Sequence, residues 1–185
     1  VFSLDEMRLF FGLNLGKKHP DYLYWNIGKL LFMLRGINIT DLLLLSENNI
    51  VGNRIVYKRA KTGKVYSIAI NQYIEEVLRD FTPNETLLGL FDRNQLKIEN
   101  RTQALHQKRK LINQHLKKIG QSIGAREPLT TYVFRYSYAN IAKQLGYSKV
   151  ILKFFLLKST FTVLPLEIGV AYVYINIFPN KKVFL

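Results

Sequence analysis

The chain has 185 residues, with 27 Lys plus Arg against 13 Asp plus Glu and a formal net charge of +14 at pH 7. A hydrophobic content of 48% is enough to bury a core, which excludes a mostly disordered chain, and the absence of cysteine excludes disulfides, thiolate metal sites and cysteine nucleophiles. The charge excess points to a polyanion, either nucleic acid or an anionic membrane surface. Only three histidines occur, and His106 and His115 lack the i, i+4 spacing of a helical zinc pair, so neither a metal nor a cofactor is expected.

Taken in chain order, the sequence begins at Val1 with no basic-then-apolar leader, so it reads as a fragment lacking its natural N-terminus. Ser3-Leu4-Asp5-Glu6 has the capping-box pattern and opens a short helix whose apolar face is Met7, Phe10 and Phe11. The run from Tyr22 to Leu34 is apolar nearly all round and too long for a strand, which predicts a buried helix, the core element, ending at Arg35-Gly36. Thr40-Asp41 is expected to cap a further short helix through Leu45. Two β-prone runs, residues 54–58 and 65–70, flank Lys61-Thr62-Gly63 and predict a hairpin embedded among helices. Asn71 caps a helix expected to reach Phe81, and Pro83-Asn84-Glu85 makes a turn. A long basic helix is predicted from about Asn94 to Ile119. Its cations (Lys97, Arg101, Lys108, Arg109, Lys110, Lys117, Lys118) face a single acid, Glu99. A last helix spans roughly 130–145. The fold class is therefore mainly α with a small antiparallel hairpin or three-stranded sheet. Near the end of the chain the longest uncharged stretch, Ile168 to Asn180, is 13 residues, short of the roughly 20 that a spanning helix requires. No membrane partner is expected.

The segments FMLRGINITDLLLL, YKRAKTGKVYSIAI and LTTYVFRYSYANIAKQLGYS occur in this order. As a set they resemble the first arginine motif, the lysine hairpin and the second arginine box of the tyrosine recombinase, or phage integrase, catalytic domain, most closely the Bacteroides-type integrases. The resemblance covers residues 1–148, read as an integrase-like catalytic domain, and implies a core-binding domain ahead of it. It further implies the DNA breaking-rejoining fold, double-stranded DNA as partner, a homotetramer on two DNA sites when active, and a cytoplasmic, nucleoid-associated bacterial setting. The function it implies is DNA integration and recombination within a mobile element.

The chemical demand is independent of the family. A protein hydroxyl that attacks a DNA phosphodiester builds negative charge on the non-bridging oxygens, and two guanidinium forks can neutralise it. By resemblance these are Arg35 and Arg135. Read alone, Arg35 is also a helix C-terminal cation and Arg135 a snorkelling arginine. Lys61, in the hairpin turn, resembles the general acid that protonates the leaving 5′ oxygen; read alone it is an ordinary solvated turn residue, and Lys64 is its substitute. Tyr132 occupies a position where histidine is more frequent. With an unperturbed pKa of about 10 it is no base at neutral pH, but it can hydrogen-bond the phosphate. Tyr136 stands at a second histidine-rich position. Asp41 resembles the acid that orients the first arginine, and is also readable as a simple N-cap.

After Lys149 the resemblance ends. The 37 residues 149–185 hold 23 apolar ones without heptad or alternation, and no Leu-Gly-His box precedes a nucleophilic tyrosine. A frameshift in the coding sequence near Ser148 is the expectation, since codons reread from their third base can encode His-x-Tyr-Gly-Leu-Ala-Val-Gly-Asn-Arg across Ser159 to Gly169 and a Tyr at the Tyr174-Ile175 junction. Tyr172 and Tyr174 are the fallback nucleophiles. The rival expectation is a non-catalytic DNA-binding remnant or accessory module, and a third is a basic membrane-surface protein.

Overall fold

The computed structural model describes residues 1–144; the atypical apolar tail, with Tyr172 and Tyr174, lies outside the described residues. Within 1–144 the chain is mainly helical with one small antiparallel sheet.

Helix α1 (Leu4–Gly12) starts as the capping box predicts: Ser3 N donates to Glu6 Oε2 at 2.8 Å and Glu6 N to Ser3 Oγ at 3.2 Å. It turns Met7, Phe10 and Phe11 inward. Helix α2 (Tyr22–Met33) is the core element: Ile27, Leu30, Leu31, Phe32 and Met33 are all buried. The reason is contact on several sides, because α2 packs against α4 (Gln72–Leu78), α5 (Ile98–Ser122) and α6 (Thr131–Gln144). Gly28 marks the closest approach. A β-carbon there would lie 2.7 Å from Phe10 Cζ, 2.8 Å from Phe134 Cζ and 3.2 Å from Leu116 Cδ2, so glycine lets α1, α5 and α6 converge on α2.

Three expectations need correction. The short helix α3 (Ile39–Leu43) is capped by Asn38, whose Oδ1 accepts from Thr40 N at 2.9 Å; Asp41 sits inside its first turn and is buried. Asn38 wins because its extended backbone and short side chain reach the free N–H first. Helix α4 ends at Leu78, three residues before Phe81, which the chain beyond the helix still buries. Helix α5 begins at Ile98 rather than Asn94. Asp92 and Gln95 close a reciprocal turn of their own (Gln95 N to Asp92 Oδ1 2.8 Å, Asp92 N to Gln95 Oε1 3.2 Å), which uses the N–H groups a helix start would need.

The sheet contains β1 (Ile50–Val51), β2 (Arg54–Lys58) and β3 (Val65–Ala69), antiparallel in that order. Its register pairs Ile55 with Ile68 and Tyr57 with Tyr66, and these four residues form its buried face. The two tyrosine rings stack at 5.2 Å. The first backbone N–H of helix α6 is taken by a side chain of another helix, Thr131 N donating to Asn113 Oδ1 of α5 at 2.9 Å. That bond fixes the angle at which α6 presents its residues. Phe134, Tyr138, Ile141 and Ala142 go inward, while Tyr132 and Tyr136, one turn apart, stay 60% and 50% exposed.

Candidate functional site: an arginine turn beside a lysine hairpin

At the end of α2 the chain makes two consecutive residues of left-handed backbone, Arg35 at φ 58° and Gly36 at φ 69°. The glycine reading of this helix end is thus half the account, since Arg35 itself takes the conformation that ordinary residues avoid by roughly 1–2 kcal/mol. The half-buried Arg35 keeps it because the turn is held from outside. Gly36 lies on α6: a β-carbon at Gly36 would be 2.7 Å from Arg135 Cα and 3.0 Å from Arg135 Cγ. In return Arg135 Nη1 donates to the Gly36 carbonyl at 2.9 Å. The turn just beyond α2 that holds Arg35 and Gly36 is therefore seated, through Gly36, on Arg135 of α6.

Asp41 joins this pair to the hairpin. Its Oδ1 accepts from Ala60 N at 3.2 Å and its Oδ2 stands 3.9 Å from Arg59 Nε. Burial pushes the Asp41 carboxyl above the usual carboxylate range, and the Ala60 N–H, the Arg59 guanidinium and the Arg135 guanidinium pull it back part of the way. Tyr57, on the buried face of β2, has its hydroxyl pushed well above the ordinary phenol range by burial first and by the Asp41 charge second. Reading Asp41 as an N-cap is thereby overturned: it is a buried charge facing two cations from different elements.

Lys61 lies in the turn that joins β2 to β3. The loop closes on Arg59, whose N–H donates to Lys64 O at 2.7 Å and whose carbonyl accepts from Gly63 N at 2.9 Å. The Lys61 side chain is exposed, as is that of Lys64. The turn is tied to α3 through Asp41, while the exposed Lys61 side chain reaches into solvent.

Tyr132 and Tyr136 flank Arg135 with ring centroids 5.1 Å apart. A hydrogen bond to Tyr132 raises the Tyr136 hydroxyl above its ordinary pKa, and Arg135 opposes this.

Sequence reasoning missed Arg59. Its side chain is 15% exposed, close to the 8% of its partner Asp41. The available signal was its position as the last residue before a three-residue turn. Among the described residues no group of three or more His, Asp or Glu side chains is disposed to hold a metal ion, and no helix is long and apolar enough to cross a membrane. In comparisons with known proteins, no family model matches the chain and no curated protein matches it.

Proposed function

We propose that this chain is a DNA-binding catalytic domain of the tyrosine recombinase type, acting in site-specific recombination and integration through a 3′-phosphotyrosyl link. The observation that carries the reading is the Arg35-Gly36 turn seated on Arg135, a contact that only glycine at position 36 permits. It sets the backbone of Arg35 one residue from the Arg135 contact, and this supports a reading in which both guanidinium groups serve the oxyanion of a phosphodiester under attack.

In this reading Arg35 and Arg135 neutralise the two non-bridging oxygens. A tyrosine oxygen attacks phosphorus, the bond to the 5′ oxygen breaks, and Lys61 delivers the proton that the departing oxygen needs. Tyr132, exposed beside Arg135, donates to the same phosphate. The covalent link keeps the bond energy, so the freed 5′ hydroxyl of a second strand can reverse the step without ATP. Asp41 keeps the hairpin beside the arginines. Double-stranded DNA is the partner, and a tetramer on two sites the working assembly.

A second reading, a DNA-binding module without cleavage, is favoured by the composition of residues 149–185, where the expected box before the nucleophile is absent. A nicked duplex that traps the covalent intermediate separates the two. An adduct that survives denaturing electrophoresis, and disappears in Arg35→Ala and Arg135→Ala, supports the recombinase. Retarded but dissociable complexes support the module. A chain that fails to retain duplex DNA at physiological salt sinks both.

A further inference from the structure

Lys61 alone does not explain how a flexible ammonium on an exposed turn comes to the same phosphate as two arginines. Arg59 supplies the missing connection. Its backbone N–H crosses the loop to Lys64 O at 2.7 Å, and its carbonyl takes the N–H groups of Thr62 at 3.3 Å and Gly63 at 2.9 Å. Its side chain, largely withdrawn from water, faces the carboxylate of Asp41 at 3.9 Å, and the next residue, Ala60, donates to the other oxygen of that carboxylate at 3.2 Å. The closure of the lysine turn and its attachment to α3 thus meet in one residue. A cation placed this way is not the one a solvated turn selects, since a turn residue in water has no reason to bury a guanidinium against a buried acid.

We propose that Arg59 is a positioning residue that acts through Lys61: its ion pair with Asp41 locks the hairpin turn against α3 and so sets where the Lys61 ammonium meets the DNA backbone. This rests on the recombinase reading, in which Lys61 touches the phosphate and Arg59 does not.

The test is the salt dependence of binding to a short fluorescein-labelled duplex of mixed sequence, followed by anisotropy, for the full chain and for Arg59→Ala, Lys61→Ala, the double variant and Arg59→Lys. Loss of one phosphate contact lowers the slope of log K against log salt by about one. Arg59→Ala is expected to lower it by about as much as Lys61→Ala, the double variant by no more than either, and Arg59→Lys, which keeps a cation beside Asp41, is expected to return most of the loss. A double variant that loses about two, or an Arg59→Ala slope equal to that of the unaltered chain, overturns the proposal. If the unaltered chain binds no duplex, the recombinase reading fails, and the attachment is decided by hydrogen exchange at the Ala60 amide. Acceleration of about tenfold or more in Arg59→Ala upholds the lock, and unchanged protection removes it.

Discussion

Arg35 carries a conformational cost that a different residue would relieve. Replacing it with glycine removes the left-handed strain of roughly 1–2 kcal/mol and returns some of that as unfolded-state entropy, so Arg35→Gly should be neutral to about 1 kcal/mol more stable while binding DNA more weakly. Thermal melting and anisotropy check the two halves of that statement. Gly36→Ala is the opposite case: the new β-carbon meets Arg135 Cα at 2.7 Å in a backbone conformation that alanine resists, so a loss of about 2 kcal/mol or more is expected, with DNA binding falling further than the melting point implies. Asp41 shows a similar conflict between stability and function. Its raised carboxyl means that the folded chain binds more protons than the unfolded one at mildly acid pH. Its effect on stability is therefore most favourable at low pH and declines as pH rises through the raised value. Asp41→Asn keeps an acceptor for Ala60 and should melt higher than the parent at neutral pH, with the difference vanishing in acid. A variant that melts lower at neutral pH would show that the charge is stabilising. Asp80 behaves the other way. Burial raises its carboxyl, but Lys17 at 2.7 Å and the hydroxyl of Tyr22 outweigh it and hold the group below the usual range. Its charge-dependent contribution is present at neutral pH and is lost as pH falls through the depressed value, so Asp80→Ala should cost about 1–3 kcal/mol at neutral pH and less at strongly acid pH, read from denaturant midpoints.

At the scale of elements, helices with strong periodic apolar faces and side-chain caps were legible: Ser3 and Asn71 cap as their sequence neighbours imply, and Tyr22–Met33 is buried because its apolar residues surround the axis. Helix starts that depend on distant partners were not. The first N–H of α6 is taken by Asn113 of α5, eighteen residues away, whereas the delayed start of α5 comes from the neighbouring Asp92–Gln95 turn, a local pattern the basic periodicity masks. The candidate site divides along the same line. Arg35, Lys61, Tyr132 and Arg135 were readable as residue types in order, whereas Arg59 and the role of Asp41 depend on α3 meeting a hairpin. The packing of elements also yields a prediction of its own: Gly28→Ala drives a methyl between Phe10, Phe134 and Leu116 and should destabilise the fold by about 1–3 kcal/mol, measured by chemical denaturation, through overpacking. A helix-propensity gain of about 1 kcal/mol for Gly to Ala would dominate only if those rings could move apart, and a more stable variant would mean that they do.

For the whole molecule, the central claim is that Arg35 and Arg135, joined through Gly36, serve one phosphate. A net charge of +14 predicts strong, salt-sensitive DNA binding by many surface cations, so weak or strong affinity alone does not decide this. A double-mutant cycle does. Duplex affinity is measured at one low salt concentration for the unaltered chain, Arg35→Ala, Arg135→Ala and both together. Two guanidinium groups sharing one phosphate should couple by about 1–3 kcal/mol, the double variant losing little more than the worse single one. Losses that simply add would mean that the two arginines hold separate phosphates, and the shared oxyanion site would not exist.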